Sequence, residues 1–214
     1  MLSSKQNVAL ASALSGLAGF VDGIGFLHLG GLFVSFMSGN STRLGVSIAE
    51  MDWRAAFEAV GLIVVFVAGA GCGSAIMLGG GEKRRPWLLL TEAVLLAIAA
   101  LCASFGLQGV AVGLLAFAMG LENSVFQLQG GAGLGLTYVT GALVKIGQLI
   151  AAALNGGPRW EWFPNLMLWA SLVIGSVAGA VAYRHIGLNA VWFGAAAALL
   201  LSAVAVIMQR QTAA

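Results

Sequence analysis

The sequence predicts an all-α integral membrane protein with six spanning helices plus two short broken or re-entrant segments, and three observations carry that prediction. Of its 214 residues, 60% are hydrophobic and only 8% charged, with a mean hydropathy of +0.97; a soluble domain carries roughly 25% charged residues. Six apolar runs approach the roughly 20 residues that a spanning helix needs: Val8–His28, Arg54–Leu78, Trp87–Phe105, Leu107–Leu128, Phe163–Tyr183 and Leu188–Met208. Trp53, Trp87, Trp160, Trp162 and Trp192 fall at or near the ends of these runs, where an interfacial aromatic belt belongs. The composition excludes disorder, and so little chain lies outside the runs that 1–214 reads as a single transmembrane domain.

The first run continues past any cleavage site to Asp22 and beyond, so it reads as a retained helix and not a signal peptide. Leu32–Ala49 follows, shorter and polar at its centre around Ser38-Gly39-Asn40-Ser41-Thr42-Arg43. Glycine followed by Asn, Ser and Thr weakens a helix and offers side-chain partners to released backbone groups. Gly79-Gly80-Gly81-Glu82 punctuates the next two runs and leads into the basic cluster Lys83-Arg84-Arg85. The second half repeats the layout: a long run, the short segment Leu136–Leu154, the loop Asn155-Gly156-Gly157-Pro158, then two long runs.

An internal repeat joins the halves, about 8–105 and about 107–208. Phe36-Met37-Ser38-Gly39 aligns with Tyr138-Val139-Thr140-Gly141, Arg43 with Lys145, Asp22 with Glu122, and Gly69 and Gly73 with Gly175 and Gly179. If the short segments span, each half crosses four times and the repeats are parallel. If they dip in and return, each half crosses three times and the repeats are inverted. Setting Arg43 and Lys145 aside as intramembrane, six crossings put Lys5, Lys83, Arg84, Arg85, Arg159 and Arg210 on one side against Arg54 and Arg184, whereas eight crossings divide the same residues equally. The positive-inside rule prefers the inverted arrangement, with both termini cytoplasmic.

Charges inside apolar runs are expensive and face protein or water. Asp22, Arg43, Glu122 and Lys145 are such charges; Glu92, five residues after Trp87, is expected at head-group depth. Asn40 and Arg43 share a helix face with Ser47, and Asn123 and Gln127 share another. The candidate residues for binding a solute or ion, or for proton coupling, are Asp22, Ser38, Asn40, Arg43, Glu122, Asn123, Thr140 and Lys145. Their plainest alternative role is to orient helices through buried ion pairs. Gly69, Gly71, Gly73, Gly175 and Gly179 read as close-packing positions, and Gly-rich faces of that kind also suit self-association. His28 and His185 lack paired ligands, Cys72 and Cys102 form no disulfide framework, and no nucleophile, P-loop or nucleic-acid-binding basic run is present, so no metal, cofactor or catalytic role is expected.

Gly19-Phe20-Val21-Asp22 and the run from Gly30 to Gly45, including Ser38-Gly39-Asn40-Ser41-Thr42-Arg43, resemble the YoaK-type family of small bacterial multi-pass membrane proteins of unknown function. The likeness covers the whole layout, with Ser38 standing where the family commonly has Thr. It implies a bacterial inner-membrane protein with about six spans and supplies no substrate. From the residues themselves the leading expectation is a transporter or channel for a small polar or ionic solute, with proton coupling as one form. The alternative is a non-transporting membrane scaffold that assembles with itself or a partner.

Overall fold

The computed structural model describes residues 5–78, 80–125 and 139–213. Phe126, Gln127, Leu128 and Gln129 at the expected end of the fourth run, and Leu136 and Tyr138 at the start of the second short segment, lie outside them. The described residues form α1 (Lys5–His28), α2 (Met37–Ala49), α3 (Trp53–Leu78), α4 (Arg85–Ser104), α5 (Gln108–Glu122), α6 (Val139–Leu154), α7 (Phe163–Ile186) and α8 (Val191–Ala213), with no strand among them. Four stretches are long and apolar enough to cross a membrane: Gln6–His28, Trp53–Leu78, Gly81–Ser104 and Phe163–Arg210, the last holding both α7 and α8. α5 and α6, at 15 and 16 residues, are apolar but shorter.

Local chemistry sets the boundaries. Pro86 and Pro164 stand in the first turns of α4 and α7, where a missing N–H costs nothing. Asp52 precedes α3 and accepts the Ala55 N–H at 3.1 Å, as an N-cap residue does. α7 stops at Gly187, whose φ of 60° suits glycine.

α1 is the central helix, the most buried of the long apolar stretches, whereas α3 is the least. It packs along α7, as α3 does along α5, while α4 lies between α5 and α8. Glycines let the first two pairs approach to backbone contact. A Cβ on Gly175 or Gly179 would run into the carbonyl of Gly16 or Phe20, and one on Gly19 into that of Leu172. In the other pair a Cβ on Gly69 or Gly73 would meet the carbonyl of Phe117 or Leu121, and one on Gly120 that of Phe66. Residue numbers rise together along both pairs, so α1 runs parallel to α7 and α3 parallel to α5. Gly69, Gly73, Gly175 and Gly179 therefore serve packing as the sequence suggests, but within the chain; Gly71 has open space around it.

Polar contacts identify the two ends of the bundle. At one end Arg85 donates to the Val125 carbonyl (3.2 Å), to Asn7 (3.4 Å) and to Glu82 (2.8 Å), and Gln209 donates to the Glu82 carbonyl (2.6 Å). At the other, His28 meets the Tyr183 hydroxyl (3.1 Å), and Ser104 donates to Asn189 (3.1 Å). The start of α1, the turn before α4 and the ends of α5 and α8 thus share one end. The ends of α1, α4 and α7 share the other. Arg85, the last residue of the basic cluster between two runs, is buried and tethers three elements.

Candidate functional site

Between α1 and α2 the chain leaves the helical path. Gly30 and Gly31, at φ 63° and 110°, turn it back, and Leu32, Val34 and Ser35 are buried against α1. Non-helical backbone at membrane depth must have its polar groups satisfied, and two side chains do this. Asp22 accepts the N–H of Val34 (2.8 Å) and of Ser35 (2.7 Å) on one carboxylate oxygen and the Ser35 hydroxyl on the other. Asn40, fully buried in the first turn of α2, accepts the Phe33 N–H at 2.9 Å and donates to the Phe33 carbonyl at 2.7 Å. Asp22 is six residues before the end of α1, about 9 Å along the helix axis, so the loop is drawn well into the bundle.

A cavity of about 540 Å³ opens beside this clamp. Asp22, Phe33 and Ser35 form its wall from the first half; Val139 and Thr140 of α6 and Ser176 of α7 form it from the second. The remaining lining is mostly apolar, so the cavity offers a few polar groups on a greasy surface, the usual make-up of a small-molecule site.

The structure brings together Asp22 and Thr140 of the residues singled out from sequence, with Asn40 supporting the wall from behind. It does not bring in the bases. Arg43 and Lys145 are exposed, and neither pairs with Asp22 or Glu122 among the described residues. Ser38 is exposed, and its carbonyl accepts the Thr42 hydroxyl. Asn40 and Ser47 are the buried positions of α2, while Arg43 falls outside that narrow stripe, contrary to the expected shared face. Asn123 is half-buried and donates to the Met119 carbonyl at 2.8 Å.

Glu122 is buried, and so is Glu92, which sequence placed at head-group depth; Glu92 has no exposure at all because α5 and α8 cover its helix. Neither carboxyl has a hydrogen-bond partner among the described residues. Sequence reasoning missed Glu92 and Ser35. The signal for Ser35 was its place beside the Ser38-Gly39-Asn40 motif. Among the described residues no group of His, Cys, Asp or Glu could hold a metal ion.

A family described as protein of unknown function (DUF1275) matches residues 10–205. The chain is 37% identical to the UPF0700 transmembrane protein RA0705 of Rhizobium meliloti (strain 1021), over 97% of this chain and 90% of that one. It is 30% identical to the UPF0700 transmembrane protein YoaK of Bacillus subtilis (strain 168), over 72% of each. No solved structure matches it.

Proposed function

We propose that this chain, which belongs to the DUF1275 family, moves a small polar or ionic solute across the bilayer through the cavity beside Asp22. The observation that carries the reading is the composition of that cavity's wall, half from the clamped loop on α1 and half from α6 and α7. Transporters built from inverted repeats bind substrate where the halves meet, at discontinuous helices near the bilayer midplane.

Several contacts support an inverted repeat with six crossings. The α1–α7 pair and the α3–α5 pair use corresponding glycines, Gly175 with Gly69 and Gly19 with Gly120, against corresponding carbonyls. This matching aligns Asp22 with Asn123, one residue on from the Glu122 suggested by sequence. Ser124 then corresponds to Gly23, and its hydroxyl reaches the Ala70 carbonyl (3.0 Å) where a Gly23 Cβ would meet that of Ser176. The grouping of helix ends supports re-entry of the segment before α2 and of α6, from opposite sides. With the basic residues of Lys5, Lys83–Arg85, Arg159 and Arg210 on the cytoplasmic side, the reading sets both termini in the cytoplasm of a bacterium and the bundle in its inner membrane.

On this reading the chain performs no catalysis, and self-association through glycine faces is left to positions such as Gly71, since Gly69, Gly73, Gly175 and Gly179 are used internally. The test is uptake by proteoliposomes holding the purified chain, screened with labelled amino acids, organic acids, sugars and inorganic ions, with and without a pH gradient. Saturable flux that is lost when Thr140→Trp fills the cavity is the expected result. Silence from a well-folded protein across all classes would favour the scaffold.

A further inference from the structure

The cavity accounts for Asp22 but leaves two carboxyls without a task. Glu92 on α4 and Glu122 on α5 are 0% and 1% exposed, and none of their four carboxyl oxygens has a hydrogen-bond partner among the described residues. Their buried neighbours along the same helices include Leu88, Leu89, Leu96, Ala118, Met119 and Leu121. An ionised carboxylate without a partner in such surroundings is very costly, and removing one member of a pair is the usual way to create that cost. Among the described residues neither glutamate forms an ion pair. A fold that needed only apolar packing would place Leu or Met at these positions.

We propose that Glu122 and Glu92 form a proton-binding site that exchanges with the cavity through Asp22. The three acids sit on α1, α5 and α4, helices that touch in that order. Asp22 stands in the cavity wall on α1, α1 touches α5, and α5 packs along α4. Chains of intramembrane carboxyls in this arrangement are how pumps and transporters pass protons. The occupant is a proton and not a metal ion because hard cations need six or more oxygen ligands, and among the described residues no group of three or more His, Cys, Asp or Glu could hold one.

Loading transfers one proton from a hydronium ion in cavity water to a carboxylate oxygen, forming one O–H bond and leaving one water. Unloading reverses this. Each proton removes one buried charge and gives a donor to oxygens that have none. The other titratable groups on the described parts of these helices are Lys5 and His28 on α1, Arg54, Glu58 and Cys72 on α3, Arg85 (paired with Glu82) and Cys102 on α4, Tyr183, Arg184 and His185 at the end of α7, and Arg210 at the end of α8.

The inference rests on the transport reading for its purpose, but its test does not need a known solute. The full chain, reconstituted in lipid, is titrated while the infrared C=O bands of protonated carboxyls are recorded as difference spectra. The wild type should show buried-carboxyl bands that change with pH, and Glu122→Gln and Glu92→Gln should each remove one component. Should Glu122→Gln fail to reach the membrane, Glu122→Asp keeps a carboxyl and should shift its band. Identical difference spectra in the wild type and these variants would overturn the inference, and unaltered solute flux beside them would leave the transport reading standing. Conversely, bands lost in the variants from a protein that moves no solute would uphold the proton site and remove the transport reading.

Discussion

The side chain of Asn40 brackets the peptide of Phe33, accepting its N–H at 2.9 Å and donating to its carbonyl at 2.7 Å. It does for an isolated stretch of backbone what a neighbouring strand would do in a sheet. Asn is well suited to this because one planar amide carries both a donor and an acceptor.

Asn40→Ala should therefore leave two partly buried backbone groups without their partner, at up to about 1–3 kcal/mol each. The expected outcome is a loss of about 2 kcal/mol or more in stability of the detergent-solubilised protein. Asn40→Asp keeps the acceptor but turns a second carboxylate oxygen toward the Phe33 carbonyl at a fully buried position, so its melting temperature should fall at least as far as that of Asn40→Ala. A thermal unfolding series on the three proteins checks this.

The glycine contacts make a sharp contrast. A methyl group on Gly19, Gly120 or Gly175 must push apart two backbones, because the atom it meets is a carbonyl oxygen in the opposite helix. Overpacking commonly costs about 1–3 kcal/mol and more where nothing can yield. Gly175→Ala should cut membrane yield and lower the melting temperature, whereas Gly71→Ala, with open space around it, should do neither. Equal behaviour of the two variants would contradict the close approach of α1 and α7.

Those helix faces, and most helix limits, were legible in the sequence because hydropathy is a local property. The run Arg54–Leu78 became Trp53–Leu78, and Phe163–Tyr183 became Phe163–Ile186. The run Leu32–Ala49 was only half helical, because Leu32, Phe33 and Val34 are apolar without being helical: Gly30 and Gly31 turn the chain, and Asp22 and Asn40 satisfy it. The burial of Glu92 was not legible for a different reason. Its distance from Trp87 is written in the chain, but the helices that cover it come from distant sequence. Asp22 and Arg43 form no ion pair, since charge type fixes who can pair but not which face of α2 turns inward.

Topology gives the third prediction. In a variant with Cys72 and Cys102 replaced by Ala, single cysteines at Gly80, Asp52 and His185 should react with an impermeant thiol reagent from different sides. Gly80→Cys should label from the cytoplasm, Asp52→Cys and His185→Cys from the opposite face. Cytoplasmic labelling at Asp52 would mean that α2 spans, and the six-crossing arrangement would fall.

The last prediction separates the shape of Asp22 from its charge. Asp22→Ala removes every acceptor for the Val34 and Ser35 N–H groups, so about 2–6 kcal/mol of stability should go with it. Asp22→Asn is different. Its amide oxygen can still accept both N–H groups, and its amide nitrogen can donate to the Ser35 hydroxyl, which serves as donor or acceptor. Asp22→Asn should therefore fold nearly as well as the wild type while carrying no charge into the cavity. Arg43→Gln, on the exposed face of α2, should change stability by no more than about 0.5 kcal/mol. The double variant should then equal the sum of the singles, with no rescue, because there is no pair to break. If Asp22→Asn reaches normal yield and melting temperature but loses solute flux, the charge itself takes part in transport. Normal flux in that variant would confine Asp22 to holding the loop.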